Sequence, residues 1–460
     1  MKLIKKILLV MLVLVMSLGA FVSCGEESTA DEKIVITVSV NGEDTAERDL
    51  MIKWKTAYEA INPNVTINVK TFTRDYSTTM KSYLLSSSQM PDIMWTTGEK
   101  HAPWSDAGVF VNLKDIDPNM DTSDFYDEII RATHKNSQDS GIYFMPRDYN
   151  KCVLYINKVV FKAAGFTEEE IDSLKDGWDY DKFIQTCERL KVAMQNNANP
   201  ALGVRANAVP LDARMDFNAV YCSFIKHYGG EFVVDKAVNL LSEENLTAYG
   251  KIYELIKNGY IAEASRVSST SFTTLSAAMQ ISVRPSLPSV PTGANYDIDF
   301  LPLPLDFVGV GCSGYAITSE AQKKVSNSSL NEGGKNNAQY AYEFLQYIVS
   351  EAGQRVGAQM GSIIPVRKSM KDDTSWTTYV DASLNHSAFV SAPEKDFSLN
   401  IYEDFEADDA STIMDNMSKV MAQVLVAQNF SDNYLITGYK AFINETQKYQ
   451  NKVAEIRAKY

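Results

Sequence analysis

Residues Ile34 to Val40 place β-branched side chains at alternate positions, then give way to Asn41, Gly42, Glu43 and Asp44, a polar turn. Asp44 with Glu47 resembles a capping box, and Leu50, Trp54, Ala57, Tyr58 and Ile61 then recur at helical spacing until Asn62-Pro63 ends the pattern. Val65, Ile67 and Val69 alternate again. A crossover through a helix favours a parallel pair, since parallel strands need such a connection whereas a tight turn joins antiparallel neighbours. The unit therefore commits the amino-terminal part of the chain to the α/β class. It also gathers the strand-to-helix loops at one sheet edge, where ligands of open α/β sheets bind.

The same periodicity predicts helices over Thr167 to Leu174, Tyr180 to Met194, Asn245 to Asn258 and Asn337 to Val349. Ile413, Met417, Val420, Met421 and Val424 form one apolar stripe, and Tyr434 to the carboxy terminus reads as a further helix. The Gly- and Asn-rich runs 196–199 and 327–337 read as surface loops. At 460 residues the chain exceeds what one hydrophobic core serves, so two lobes are expected. The formal charge of −14 is acidic, which argues against nucleic acid as a partner, since phosphate binding needs a basic face.

Ahead of Ile34 the composition reverses twice. Lys2, Lys5 and Lys6 precede the apolar run from Ile7 to Leu18, then come the small residues Gly19, Ala20 and Ser23, then Cys24, and then a polar stretch from Gly25 to Lys33. The run is too short for a bilayer, which needs about 20 residues. This arrangement resembles a bacterial lipoprotein export signal. The resemblance implies that residues 1–23 are removed, that Cys24 carries lipid, and that 24–33 is a flexible tether to the membrane. An ordinary signal peptide with an incidental cysteine is the other reading, and a true span a third. Cys152, Cys187, Cys222 and Cys312 form no C-x-x-C pair. Buried free thiols are expected, although export would permit a disulfide that spacing alone cannot choose.

Several short stretches follow one another in a recognisable order. They are Pro91-Asp92-Ile93, then Trp104, Gly108, Leu113 and Asp115, and then Gly141 to Pro146, leading through Leu154 to Lys158 and on to Phe161 to Gly165. Trp178, Phe183, Gly229-Gly230, Phe272 with Ala278-Met279, Phe300 to Pro304, Gly311 to Ile317, Ala341 to Ser350 and Gly361 to Arg367 continue the series. Together they are similar to the extracellular solute-binding proteins of ABC importers, in the maltose-binding-like, sugar-binding branch. Ile156 stands where the family has a second tyrosine, and Ser276 where glycine is usual.

The resemblance implies a two-lobe, periplasmic-binding-protein-like α/β fold with an interlobe cleft and a hinge crossed more than once. One lobe would hold 31–147 plus 313–358, the other 148–312 plus 359–460. It also implies a receptor that captures a carbohydrate by lobe closure outside the cytoplasm and delivers it to an ABC permease. Such a receptor would act as a monomer without catalytic residues, cofactor or metal. Positions matching ligand loops are Asn41, Glu43 and Asp44 after the first strand, Trp95, Thr96 and Thr97 after the Pro91-Asp92-Ile93 strand, and Arg147, Asp148, Tyr149 and Asn150 beside the first crossing. Arg284, Ser313 and Tyr315 complete the set. A sugar offers hydroxyls at its edge and C–H groups on its faces, so polar and aromatic side chains are the types required. Trp95 reads as a stacking plate or as core, Trp104 as structural, and Arg147 with Asp148 as a hydroxyl clamp or as an ion pair across the hinge.

Other signals carry less. Asp115, Asp117, Asn119, Asp121 and Ser123 have calcium-loop spacing, but Met120 and Tyr126 occupy the positions that need glycine and glutamate. The acidic run of Glu403, Asp404, Glu406, Asp408 and Asp409 reads as a charged surface or as a face toward a basic permease. Gly311-Cys312-Ser313-Gly314 lacks the second glycine of a nucleophile elbow, since Tyr315 sits there. The four histidines are isolated, and Gly333-Gly334-Lys335 lacks the rest of a phosphate loop. The rival reading from another class is a secreted glycoside hydrolase, which would need two carboxylates across a cleft; a binding protein for a non-sugar polar solute is a second alternative.

Overall fold

The computed structural model describes residues 32–398, apart from 43–44, 74, 137, 197–207, 235–236, 241 and 263–270, together with 413, 417–418, 421 and 451. Cys24, Glu43, Asp44, the expected loop at 197–199, the acidic run at 403–409 and, apart from residue 451, the carboxy-terminal helix expected from Tyr434 lie outside the described residues.

The opening strand, helix and strand form as read. Strand β1 (Ile34–Asn41) pairs in parallel with β2 (Val65–Phe72), Ile34 opposite Val65 and Asn41 opposite Phe72. Helix Thr45–Ile61 between them buries Leu50, Met51, Trp54 and Tyr58. Strand β3 (Ile93–Thr97) adds in parallel on the other side of β1. Strands β4 (Met145–Pro146) to β14 (Asp396–Ser398) include β5 (Asn150–Lys151), β6 (Val153–Asn157) and β7 (Val209–Asp212). The hairpin β8–β9 (Val233–Val234, Ala237–Val238), β10 (Ala277–Ser282), β11 (Ile298–Pro302), β12 (Val308–Gly311) and β13 (Ser313–Ile317) complete the set.

These strands make two principal sheets and one connecting sheet. The first runs β2-β1-β3-β13-β4, the second β11-β6-β10-β7, and a three-stranded sheet runs β14-β12-β5. The chain passes from the first sheet at Pro146 through β5 into the second at Val153, and returns through β12 into β13 with Cys312 alone between them. The small sheet is therefore where the crossings meet, and β14 brings a third pass of chain beside them. Each principal sheet has its own apolar cluster, one built on Ile36, Val38, Trp54, Phe344 and Leu345, the other on Leu154, Phe161, Leu190, Phe224 and Ile252.

Four of the helices read from periodicity are present as Glu168–Ser173, Tyr180–Asn196, Glu243–Lys257 and Asn337–Val349. Thr167 with Glu170 and Asn336 with Gln339 form capping boxes that fix two of their starts. Ile413, Met417 and Met421 of the late apolar stripe are buried in the second cluster. The stretch from Ile363 to Phe389 belts the rear of the molecule. Ile364 accepts from the backbone N–H of Tyr149, while Asn385 donates from its backbone to Asp299 in the second sheet. Cys152, Cys187, Cys222 and Cys312 are free and buried. Among the described residues, no helix is long and apolar enough to cross a membrane.

Candidate functional site

Parallel pairing puts the carboxy-terminal ends of β1, β2 and β3 at one edge, and β13 begins there because Ser313 lies opposite Thr97. Arg147 joins the same edge by donating its backbone N–H to the Ser313 carbonyl at 2.9 Å. Asn41, Thr97, Arg147, Asp148 and Ser313 are thus brought together by sheet register. Asn150 lies one strand away, opposite Gly311 in the connecting sheet.

Four side-chain atoms in this neighbourhood are buried without a hydrogen-bond partner: Trp95 Nε1, Thr97 Oγ1, Arg147 Nε and Asn150 Oδ1. A buried polar atom left unpaired costs about 1–3 kcal/mol, so an incoming group that paired with any of these four would recover that cost. Beside them stands an aromatic wall. The Trp95 ring lies 6.2 Å from both Phe72 and Tyr76, and Lys100 Nζ sits 5.6 Å over Trp95 and over Tyr76. Trp95 is 9% exposed, so its ring packs in the wall and offers only a margin.

Beneath the edge lies a charged network that spacing did not reveal. Arg147 donates Nη2 to Glu47 Oε2 at 2.5 Å and Nη1 to Asp148 Oδ2 at 2.6 Å. Tyr315 donates its hydroxyl to Glu47 Oε1 at 2.5 Å, and Asp148 accepts from the Ser313 backbone at 3.0 Å. Burial opposes the arginine's charge, but Asp148 and Glu47 outweigh it and hold its pKa above the ordinary value. Burial and the Glu47 carboxylate push the Tyr315 phenol well up. Arg147 and Asp148 are thus an ion pair, with Glu47 as its second acid.

Other expected residues face elsewhere. Thr96 is fully buried and accepts from Tyr76 at 2.9 Å, because alternation along β3 turns it away from the side that Trp95 and Thr97 share. Tyr149 points to the rear, where it donates to Asp396 and stacks on Tyr126 at 4.3 Å. Arg284 corrects the expectation most clearly. Its Nε and Nη2 donate to the carbonyls of Gly361 and Trp376 at 2.6 and 2.7 Å, Nη1 meets His386 Nδ1 at 2.6 Å, and Trp376 and Phe389 flank it. Burial lowers its pKa to about 10. It pins the rear belt to the second sheet, fully buried and with each of its three nitrogens already engaged.

Two residues that were not singled out bridge the lobes at the edge. Glu99, in the loop after β3, accepts at Oε2 from Asn218 Nδ2 at 2.8 Å, and Asn218 opens helix Asn218–His227 of the second sheet's layer. Burial raises the Glu99 pKa and the Asn218 bond opposes the rise. The signal was present in part, since Gly98-Glu99 continues the loop whose first residues were chosen. Nothing local marks Asn218.

Two α/β sheets with separate apolar clusters, joined through a three-stranded sheet and touching through Glu99 and Asn218, are the architecture of a two-lobed binding protein. The model of the bacterial extracellular solute-binding protein family matches residues 53–383, and the chain belongs to that family. The fold is shared with the ABC substrate-binding protein Lmo0181 from Listeria monocytogenes, solved with cycloalternan, at TM-score 0.68 and 15% identity over 92% of this chain and 99% of that one. It is shared with the GacH receptor of Streptomyces glaucescens, solved unliganded and with acarbose, at TM-score 0.67 and 17% identity over 92% and 99%. UgpB from Mycobacterium tuberculosis, in complex with glycerophosphocholine, is similar at TM-score 0.67 and 17% identity over 91% and 98%. No curated protein sequence matches.

Proposed function

We propose that this chain is the lipid-anchored receptor of an ABC importer, that it captures an extracellular carbohydrate between its lobes, and that it delivers the closed complex to the permease. The observation that carries this reading is the cluster of unpaired buried polar atoms on Trp95, Thr97, Arg147 and Asn150 beside the Phe72, Tyr76 and Trp95 rings. Hydroxyls would satisfy the first group, and the exposed margin of Trp95 would meet an apolar sugar edge. Asn41, Thr97, Asn150, Glu99 and Asn218 are the proposed polar contacts, with Glu43 and Asp44 on the adjoining loop. Arg147, Asp148, Ser313 and Tyr315 hold the floor of the site. Residues 31–147 plus 313–358 form one proposed lobe, and 148–312 plus 359–460 the other. Cys24 is the proposed lipid attachment, the protein acts as a monomer, and no cofactor or catalytic step is required.

A solute touching both lobes binds the closed arrangement better and shifts the population toward it. Moving a balance from 1:99 to 99:1 takes about 5.5 kcal/mol of differential affinity, within reach of several hydrogen bonds and one stack. Support for a sugar comes from the cycloalternan and acarbose bound by the Lmo0181 and GacH proteins; the glycerophosphocholine of UgpB supports the second reading, a non-sugar polar solute. The test is calorimetry and melting temperature with maltose, maltotriose, acarbose and glycerophosphocholine, followed by chromatography of each mixture. A saturable shift with intact saccharide supports the receptor. Shortened saccharide would establish a hydrolase instead, and a shift with glycerophosphocholine alone would select the second reading.

A further inference from the structure

Beside the connecting sheet, at the rear, lies a cavity of about 540 Å³, a volume in the range of small-molecule sites. Three segments far apart in sequence wall it. They are the start of helix Asp127–Arg131 with Tyr126 ahead of it, the rear belt at Lys368 and Lys371, and the turn that leads into β14. None of the proposed solute contacts is among its described lining residues.

Most of the charge on these walls is already paired. Lys368 Nζ lies 2.7 Å from Asp127. Asp396 faces Lys151 Nζ at 2.6 Å and accepts from the Tyr149 hydroxyl. Glu128 accepts from Arg131 Nε at 3.0 Å and from the Ser398 backbone at 2.8 Å. Two charges on different walls remain, Lys371 on the belt and Glu394 on the turn, and neither makes an ion pair among the described residues. A third group is unmatched. Tyr126 is 6% exposed, and its hydroxyl is buried without a hydrogen-bond partner. The charges that act on that hydroxyl are those of Asp396, Asp372 and Asp124, all acidic, so the group it lacks is a cationic donor.

We propose that this cavity is a second binding site, for a small zwitterion such as an α-amino acid or a short peptide, whose carboxylate lies on Lys371 and whose ammonium lies between Glu394 and the Tyr126 hydroxyl. A lone anion would leave Glu394 unmatched and a lone cation would leave Lys371 so. A ligand with both charges matches both walls, whereas a neutral saccharide would offer them only hydroxyl dipoles. Val390 and Pro393 add an apolar wall for a side chain. The site has its own residues and its own ligand, so it stands or falls separately from the assignment of a sugar to the cleft.

Calorimetry of the full chain with L-leucine, L-proline, glycyl-L-leucine and L-alanyl-L-alanine tests it, and the tighter pair tells free amino acids from peptides. At least one should give a saturable heat. For that ligand, the N-acetyl derivative, which lacks the ammonium, and the amide, which lacks the carboxylate, should each bind at least about tenfold more weakly. Lys371→Met and Glu394→Gln should each weaken it by a similar factor, and both positions are exposed, so the melting temperature of the ligand-free chain should hold. Thr97→Ala combined with Asn150→Ala, at the cleft, should leave this affinity unchanged. No saturable heat from any of the four ligands up to about 10 mM overturns the proposal. So does undiminished binding of the N-acetyl derivative or the amide, undiminished binding by the Lys371→Met, Glu394→Gln double variant, or loss of binding in the cleft variant.

Discussion

Replacing Arg147 by methionine keeps an unbranched apolar stem and removes the guanidinium, leaving Glu47 and Asp148 without their cation. Their side chains are 3% and 0% exposed, so water cannot take the arginine's place. Breaking a buried pair by removing one partner costs about 3–5 kcal/mol. Asp148 keeps the Ser313 backbone donor and Glu47 keeps the Tyr315 hydroxyl, so the lower end, about 3 kcal/mol, is expected. Adding Glu47→Gln removes one of the two stranded charges. The double variant should therefore recover part of the loss, with a coupling above about 1 kcal/mol. Urea unfolding followed by circular dichroism measures both, read as the midpoint at constant slope. A loss under about 1 kcal/mol for Arg147→Met, or strict additivity with Glu47→Gln, would refute the claim that this network holds the floor of the cleft.

Gly314→Ala should destabilise by more than about 2 kcal/mol in the same urea assay, because a Cβ there would lie 2.1 Å from the Met145 carbonyl oxygen and force β13 from β4. His101 is fully buried, and burial lowers its pKa to about 3. Its folded pKa being depressed, it contributes stability that is present above the unfolded value and lost as pH falls toward 3. Below about pH 6.5 the loss should be about 1.4 kcal/mol per pH unit, and His101→Asn should flatten that slope in urea midpoints taken at pH 7 and pH 5. Burial also pushes the Cys152 thiol up to about 12, and Cys187, Cys222 and Cys312 are buried likewise. A thiol reagent should therefore titrate none of the four in the native chain and all four in guanidinium. Thr97→Ala and Asn150→Ala should each weaken calorimetric affinity for the bound solute by about five- to fifteenfold while the urea midpoint of the solute-free chain holds or rises, since each removes a buried unpaired atom.

The sequence carries the frame of this fold and little of its hinge. Ile34, Ile36, Val38 and Val40 alternate cleanly, and Thr167 with Glu170 signals a helix start within four residues, so those elements declare themselves locally. Strand β14 is three residues long and owes its existence to pairing with Val308 to Val310, which no local pattern encodes. The placement of Asn41, Thr97 and Asn150 at strand ends was legible, and they are the polar contacts proposed for the solute. Placement was misread where a long side chain reaches through the core. Arg284 follows a buried strand and looks exposed in sequence, yet its guanidinium is drawn to the Gly361 and Trp376 carbonyls, which are distant along the chain. Glu47 read as a helix-start residue, and its carboxylate also serves Arg147, a hundred positions later. Asn218 carries no signature because its importance arises only when the second lobe meets Glu99.

Small-angle scattering of the purified chain, without and with a saturating saccharide from the calorimetric panel, tests lobe closure most directly. The radius of gyration should fall on saturation and return on dialysis, and Asn218→Ala with Thr97→Ala should need more saccharide for the same fall. Heat of binding with an unchanged radius would contradict capture between closing lobes.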